Sequence, residues 1–231
     1  MTKKNIIPVC FYTIAMAYLE SATVVYLRRV FNISDLILDI PSFDQALALI
    51  EIGREFATLV MLFAVGWAAG RSLQSRISYT FIIFGMWDIF YYFWLRVFIG
   101  WPRSLLAPDI LFLIPLPWWG PVIAPVLIAC LMVVGGILAI IAEDKGRKIK
   151  FFITEGAALI SGVLILLYSF MQDAISILPA DAETLSRLRP SDFNWLIYFT
   201  GLIFAGYGVL HTVWAAQSEP ITKGGNHVKY Q

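Results

Sequence analysis

The composition of this 231-residue chain excludes an ordinary soluble protein. Apolar residues make up 59% of it and charged residues only 14%, with a mean hydropathy of +0.76, whereas a soluble domain is roughly half apolar and about a quarter charged. The formal net charge is +1, and no stretch combines clustered Lys and Arg with stacking aromatic residues, which excludes nucleic acid as a partner.

Six apolar segments follow one another along the chain, each close to the ~20 residues that a helix needs to cross a bilayer. They are too long for barrel strands and lack strict alternation of apolar and polar residues, so they predict helices. The expected fold class is all-α, a polytopic bundle of six transmembrane helices within residues 1–216. The predicted spans are residues 6–28, 45–70, 77–98, 119–142, 150–172 and 193–215.

Two further segments have a different composition. Residues 99–118 contain four prolines, which exclude a continuous helix, yet the stretch ILFLIPL within them is strongly apolar. We therefore expect an interfacial or re-entrant segment on the outer side of the membrane. Residues 217–231 are polar and contain glycine, and are predicted to form a tail on the inner side.

The distribution of Lys and Arg predicts the orientation, because short inner connections carry more of them. With the N-terminus inside, ten fall on the inner side and six on the outer side, so both termini are expected to be inside. The inner set is Lys3, Lys4, Arg71, Arg76, Lys145, Arg147, Lys148, Lys150, Lys223 and Lys229, and the outer set is Arg28, Arg29, Arg96, Arg103, Arg187 and Arg189.

Charged residues inside the first three predicted spans lie in the same half of the membrane, next to the outer side. A charge near the bilayer centre costs about 2.5–3.5 kcal/mol on insertion scales, so each of these residues is expected to have a partner of opposite charge or a functional role. At 100° per residue, Glu51, Arg54 and Glu55 share one face of the second helix. On the third helix Asp88 is followed at i+4 by Tyr92. These polar faces are expected to meet, together with Glu20 of the first helix.

Acidic groups outnumber basic ones in this set, with four carboxylates against Arg54 as the one certain interior cation. The excess must be protonated, hydrated or neutralised by a bound cation. The sequence therefore predicts a site for a proton, a hard cation or a small cationic solute. Its candidate residues are Asp88, Glu20, Glu55, Glu51, Arg54, Tyr91 and Tyr92.

A structural role for the same residues stays open. Glu51, Arg54 and Glu55 are also compatible with a salt bridge at the outer boundary that only ties helices together. Asp88 is compatible with a helix-to-helix partner of Arg54. If a divalent cation binds, oxygen ligands from Asp88, Glu20 and Glu55 are expected; no other cofactor is predicted.

A weaker candidate pair lies toward the inner side, where Glu155 and His211 fall on the fifth and sixth spans. His211 is the only histidine within a predicted span, which excludes a bis-histidine haem inside this chain. Cys10 and Cys130 fall in different apolar spans and are interpreted as core residues.

Transport or sensing of a cation is the function that this pattern favours. Two alternatives stay open: an accessory subunit with protein partners in a larger membrane complex, and an intramembrane enzyme on a lipid or other apolar substrate, with residues 99–118 as its lid. The segment FLIPLPWWGPVIAPVLIA resembles those of bacterial membrane proteins, so a bacterial cytoplasmic (inner) membrane is the expected location.

Overall fold

The computed structural model describes residues 5–30, 45–112, 116–150, 152–179 and 192–218. Within these ranges the protein is a bundle of six long helices with one small β-hairpin. Most of the tail predicted at residues 217–231 lies outside the described residues.

Each of the six helices overlaps one of the predicted apolar segments. The two strands of the hairpin stand between the third and fourth helices. The elements are α1 (Ile6–Val30), α2 (Gln45–Ala69), α3 (Leu73–Ile99), β1 (Pro108–Phe112), β2 (Trp118–Pro121), α4 (Ile123–Asp144), α5 (Ile153–Ser176) and α6 (Trp195–Ser218).

Five of these helices, namely α1, α3, α4, α5 and α6, are long and apolar enough to cross a membrane. This agrees with the prediction of a helical integral membrane protein in a lipid bilayer. The remaining helix, α2, also has 25 residues but carries Glu51, Arg54 and Glu55 in its first half. The structure thus supports the helical class, while the crossing by α2 remains a prediction.

Local signals explain where α3 begins and ends. Ser72 accepts a hydrogen bond from the backbone N–H of Ser75, whose hydroxyl in turn accepts one from the N–H of Ser72, which forms a capping box. At the other end Gly100 has φ of 70°, a left-handed conformation that glycine adopts without steric cost, and its N–H donates to Arg96 O.

The helices pack around two cores that share α4. One core lies where α3 packs against α1, α2 and α4, and the other lies among α4, α5 and α6. The first includes Leu62, Tyr79, Ile82, Ile83 and Ile140, and the second includes Ala124, Leu166, Phe170, Tyr198 and Ala205.

The six helices fit the predicted all-α fold, and the small two-stranded β-hairpin is an element that was not predicted. Its strands pair antiparallel, with Asp109 opposite Gly120, and β2 packs on α4 and α5. Prolines stop the helix in this region, and the aromatic and β-branched residues between them favour extended backbone. The hairpin lies at the end of the bundle where α1 and α3 end; this end is called the hairpin end below.

Candidate functional site

One cavity near the hairpin end gathers all seven predicted site residues. It has a volume of about 230 Å³ and is lined by residues of α1 to α5 and of the hairpin. We call it the acidic cavity, because five carboxylates and two guanidinium groups lie among its described lining residues. These charged groups are Glu20, Glu51, Glu55, Asp88, Asp109, Arg28 and Arg54.

Arg54 of α2 ties two of the carboxylates together. Its Nη1 donates to Glu20 Oε1 of α1, and its Nε lies 2.5 Å from Glu51 Oε2 one turn earlier in α2. Thr58 Oγ1 donates to the other oxygen of Glu20 at 3.1 Å. The two carboxylates are buried, and the guanidinium offsets their charge. The geometry is that of a helix-joining ion pair, which the sequence left open for Glu51 and Arg54.

Asp88 of α3 has different surroundings. It forms no ion pair or hydrogen bond with any residue that the structure describes, and its Oδ2 is shielded from solvent. The pairing with Arg54 that the sequence left open for Asp88 is not formed, because Arg54 binds Glu20 and Glu51 instead. A carboxylate that has one shielded oxygen and no partner is costly to keep charged unless a proton or cation compensates it. Asp88 is therefore the carboxylate of the cavity whose charge the described residues leave uncompensated.

Asp109 is a lining residue that sequence reasoning missed. The β-hairpin carries it onto α3, where Tyr92 donates a hydrogen bond to its Oδ2 at 3.0 Å. Burial raises the pKa of Asp109 to about 6, although the Arg28 charge and hydrogen bonds from Tyr92 and the Ile110 N–H oppose the rise. The one signal in the sequence was a lone carboxylate inside the apolar, proline-rich segment 99–118.

Arg28 brings a second guanidinium to the acidic cavity. It lies two turns beyond Glu20 on α1, on the side of the hairpin end. Its guanidinium carbon lies 4.4 Å from the ring centroid of Trp101, within the range of a cation–π contact. Arg28 therefore stands beside Asp109 and the aromatic residues of the connection, away from the Arg54 ion pair.

Aromatic residues form much of the remaining wall. Trp87 stacks on Tyr91 at 6.2 Å between ring centroids, and Trp118 stacks on Phe170 at 6.1 Å. The indole Nε1 atoms of Trp87 and Trp118 have no hydrogen-bond partner among the described residues. The electron-rich faces of such rings attract cations, so the wall suits an apolar or aromatic cation.

The oxygen ligands expected for a divalent cation all line the acidic cavity. Asp88, Glu20 and Glu55 are all there, but within the described part of the chain no three Asp, Glu, His or Cys side chains form a group that could hold a metal ion. Glu20 instead belongs to the Arg54 ion pair.

The secondary candidates meet at the opposite end of the bundle. His211 Nδ1 of α6 lies 2.9 Å from Glu155 Oε1 of α5, and Thr154 donates to the other oxygen of Glu155 at 2.6 Å. Tyr207 stacks on the imidazole ring at 5.0 Å. Neither residue lines the acidic cavity. The pair joins α5 to α6, and its function stays a prediction.

Comparison of the chain with protein-family models, with curated proteins and with solved structures gives no match.

Proposed function

We propose that this chain is a six-span membrane protein with both termini inside, whose acidic cavity opens to the outside and binds a small organic cation for transport or sensing. Asp88 is the residue that holds the cation. Arg54 fixes Glu20 and Glu51, and these two carboxylates add to the negative field of the site.

The observation that carries this proposal is the isolation of Asp88. Among the described lining residues, five carboxylates stand against two guanidinium groups, and Arg54 already serves Glu20 and Glu51. Asp88 has no such partner in the described part of the chain. A cation at Asp88 supplies the missing compensation, and this interaction is stronger than in bulk water because Asp88 is partly shielded.

The walls favour an organic cation within the ligand classes that the sequence predicts. A hydrated metal ion or a proton gains little from aromatic side chains, whereas an organic cation gains both apolar burial and cation–π attraction. A ligand that presents its charge to Asp88 and its apolar groups to Trp87 and Trp118 uses both parts of the lining.

Binding of benzyltrimethylammonium tests the proposal, because this probe carries a fixed charge and an aromatic ring. We expect it to raise the unfolding temperature of the purified protein and to bind Asp88→Asn at least about tenfold more weakly, as loss of one charge contact of roughly 1.4 kcal/mol or more predicts. The matched control is Asp173→Asn, which removes an acid of α5 that does not line the cavity. Calorimetric titration measures the affinities.

The neutral analogue neopentylbenzene separates charge from apolar burial and should bind wild type and Asp88→Asn alike. Equal affinity of the cationic probe for both proteins, or no binding at all, would contradict the proposal. Stabilisation by Mg²⁺ or Ca²⁺ that is lost in Asp88→Asn, without binding of the organic probe, would replace the organic cation by a hard one. An effect of pH alone would replace it by a proton.

A further inference from the structure

A second cavity, of about 520 Å³, lies toward the end of the bundle away from the hairpin, and we call it the distal crevice. Helices α3 and α4 form one side of it, and α5 and α6 form the other. It shares no lining residue with the acidic cavity. Its apolar walls include Leu73, Ile77, Ala139, Ile149, Leu159 and Val209.

The crevice is accessible from the side of the bundle along α3. Leu73 and Ile77 line it and are 64% and 45% exposed. Both belong to a helix that is long and apolar enough to cross a membrane, so we expect lipid acyl chains to lie next to this opening. An acyl chain is therefore the apolar ligand that reaches the crevice directly.

Most polar groups at the crevice form hydrogen bonds within the protein. Ser72 donates to Glu143 Oε1 at 2.8 Å, and Gln74 donates to Ala139 O at 3.0 Å while accepting from the Ile149 N–H at 2.9 Å. Two groups have no such partner: the Oε2 atom of Glu143, which is buried, and the exposed side chain of Lys148, which forms no ion pair or hydrogen bond with any described residue. Its ammonium is therefore available to an anion beside the apolar walls.

The connection that carries Lys148 is strongly basic. Residues 145–150 include Lys145, Arg147, Lys148 and Lys150, whereas the acids next to them are Glu143 and Asp144. Basic groups at the rim of an apolar pocket between membrane helices attract the phosphate of anionic lipids, at about 1 kcal/mol per residue near the surface. A zwitterionic lipid gains less, because its own cation lies close to the same basic groups.

We infer that the distal crevice binds an anionic phospholipid, with an acyl chain among the apolar walls and the phosphate at Lys148. The inference is independent of the cation site, since the two cavities have no residue in common. The ligand needs both parts of the site. A free phosphate uses only Lys148, and a neutral alkyl chain uses only the walls.

Titration of the delipidated full chain in neutral detergent tests this inference, with bound lipid counted by native mass spectrometry. We expect one dioleoylphosphatidylglycerol to be retained, dioleoylphosphatidylcholine to bind roughly fivefold more weakly, and inorganic phosphate not to bind. Lys148→Gln should weaken phosphatidylglycerol binding by a similar factor, to the level of the choline lipid. Lys145→Gln is the matched control, because Lys145 is an exposed cation of the same connection that does not line the crevice.

A second variant tests the acyl-chain part of the site. Ile77→Trp places a large side chain at a partly exposed position of the opening, so the fold should be retained while both lipids should be excluded. Equal phosphatidylglycerol binding by wild type and Lys148→Gln, or the same loss in Lys145→Gln, would overturn the inference in favour of general surface attraction. Binding of inorganic phosphate as strong as that of the lipid would reduce the site to an anion site.

Discussion

Asp88 and Asp109 are carboxylates of the same cavity, but they differ in their hydrogen-bond and ion-pair partners. Asp109 accepts a hydrogen bond from Tyr92 and lies near Arg28, whereas Asp88 has no hydrogen-bond or ion-pair partner among the described residues. The difference arises because Asp109 is brought to α3 by a separate element. We therefore propose the cation at Asp88 and not at Asp109.

The stability of the protein should depend on pH through Asp109. Its pKa rises from the ordinary 3.8 to about 6 in the folded protein, so between these values the folded state binds more protons than the unfolded state. The free energy of unfolding should then fall as pH rises through this window, by up to about 3 kcal/mol at about 1.4 kcal/mol per pKa unit. Unfolding midpoints in detergent from pH 4 to pH 7 measure this change.

Asp109→Asn isolates this contribution, because the amide oxygen still accepts from Tyr92 but does not titrate. The variant should show a flatter profile and exceed wild type in stability at pH 7. The groups that face this position are Arg28 of α1 and Asp88, Tyr91 and Tyr92 of α3, and none of them is substituted in the variant. Asp173→Asn, outside the cavity, should keep the wild-type dependence of stability on pH. If Asp109→Asn keeps it too, the pH dependence does not arise from Asp109.

At the scale of elements, glycines decide how closely α5 and α6 pack. A Cβ on Gly162 would lie 2.3 Å from the backbone N of Ala205 and 2.8 Å from Gly201 O, closer than any real contact. The spacing of the small residues Gly201, Ala205 and Gly208 in the sixth span is typical of close helix packing. Spacing by itself does not indicate which residue of the fifth span meets them.

Gly162→Ala should separate α5 from α6 and lower the free energy of unfolding by about 1–3 kcal/mol, the usual cost of overpacking. Gly156→Ala in the same helix is the matched control, since a Cβ there meets nothing within 4 Å. That control should be neutral or stabilising by up to about 1 kcal/mol, because alanine favours a helix over glycine. Denaturation in mixed micelles compares the stabilities of the two variants. Equal effects would show that the close approach of α5 and α6 at Gly162 does not contribute to stability.

The connection between α3 and α4 is the element that sequence reasoning predicted least completely. Its prolines correctly excluded a long helix, but pairing of Pro108–Phe112 with Trp118–Pro121 was not predicted. Strand pairing depends on the meeting of two short segments. The alternation of apolar and polar residues that predicts a strand is weak in segments this short. The hairpin nevertheless matters to the site, since it carries Asp109, Phe112 and Trp118 to the cavity.

At the scale of the whole molecule, the six-span topology predicts which connections face the outside. Single cysteines at three exposed positions test it, in a background where Cys10 and Cys130 are replaced by Ala. In intact cells a membrane-impermeant maleimide should label Arg103→Cys, whereas Arg71→Cys and Lys145→Cys should react only after permeabilisation, because the six-span topology places them on the inner side. If α2 does not cross the membrane, the chain beyond it is inverted, so positions 71 and 145 should be labelled in intact cells and position 103 should not.

The helical class and the positions of the long helices follow from the sequence by itself, because both depend on local properties. A run of apolar residues of bilayer length has to form a helix in which every backbone group is bonded internally. The sequence also placed the charged residues of the first three spans in the same half of the bundle. It could do so because position along a helix fixes depth at about 1.5 Å per residue.

Only the tertiary structure decided which charges meet. Arg54 was equally suited to Asp88, Glu20 or Glu51, and the fold gives it Glu20, 34 positions away, together with Glu51 on its own helix. Such a choice depends on the rotation and the relative level of neighbouring helices, which are set by packing contacts over their whole length. For the same reason Asp88 was left without a partner in the described chain, and Asp109 joined the cavity through a hairpin that no local pattern predicted.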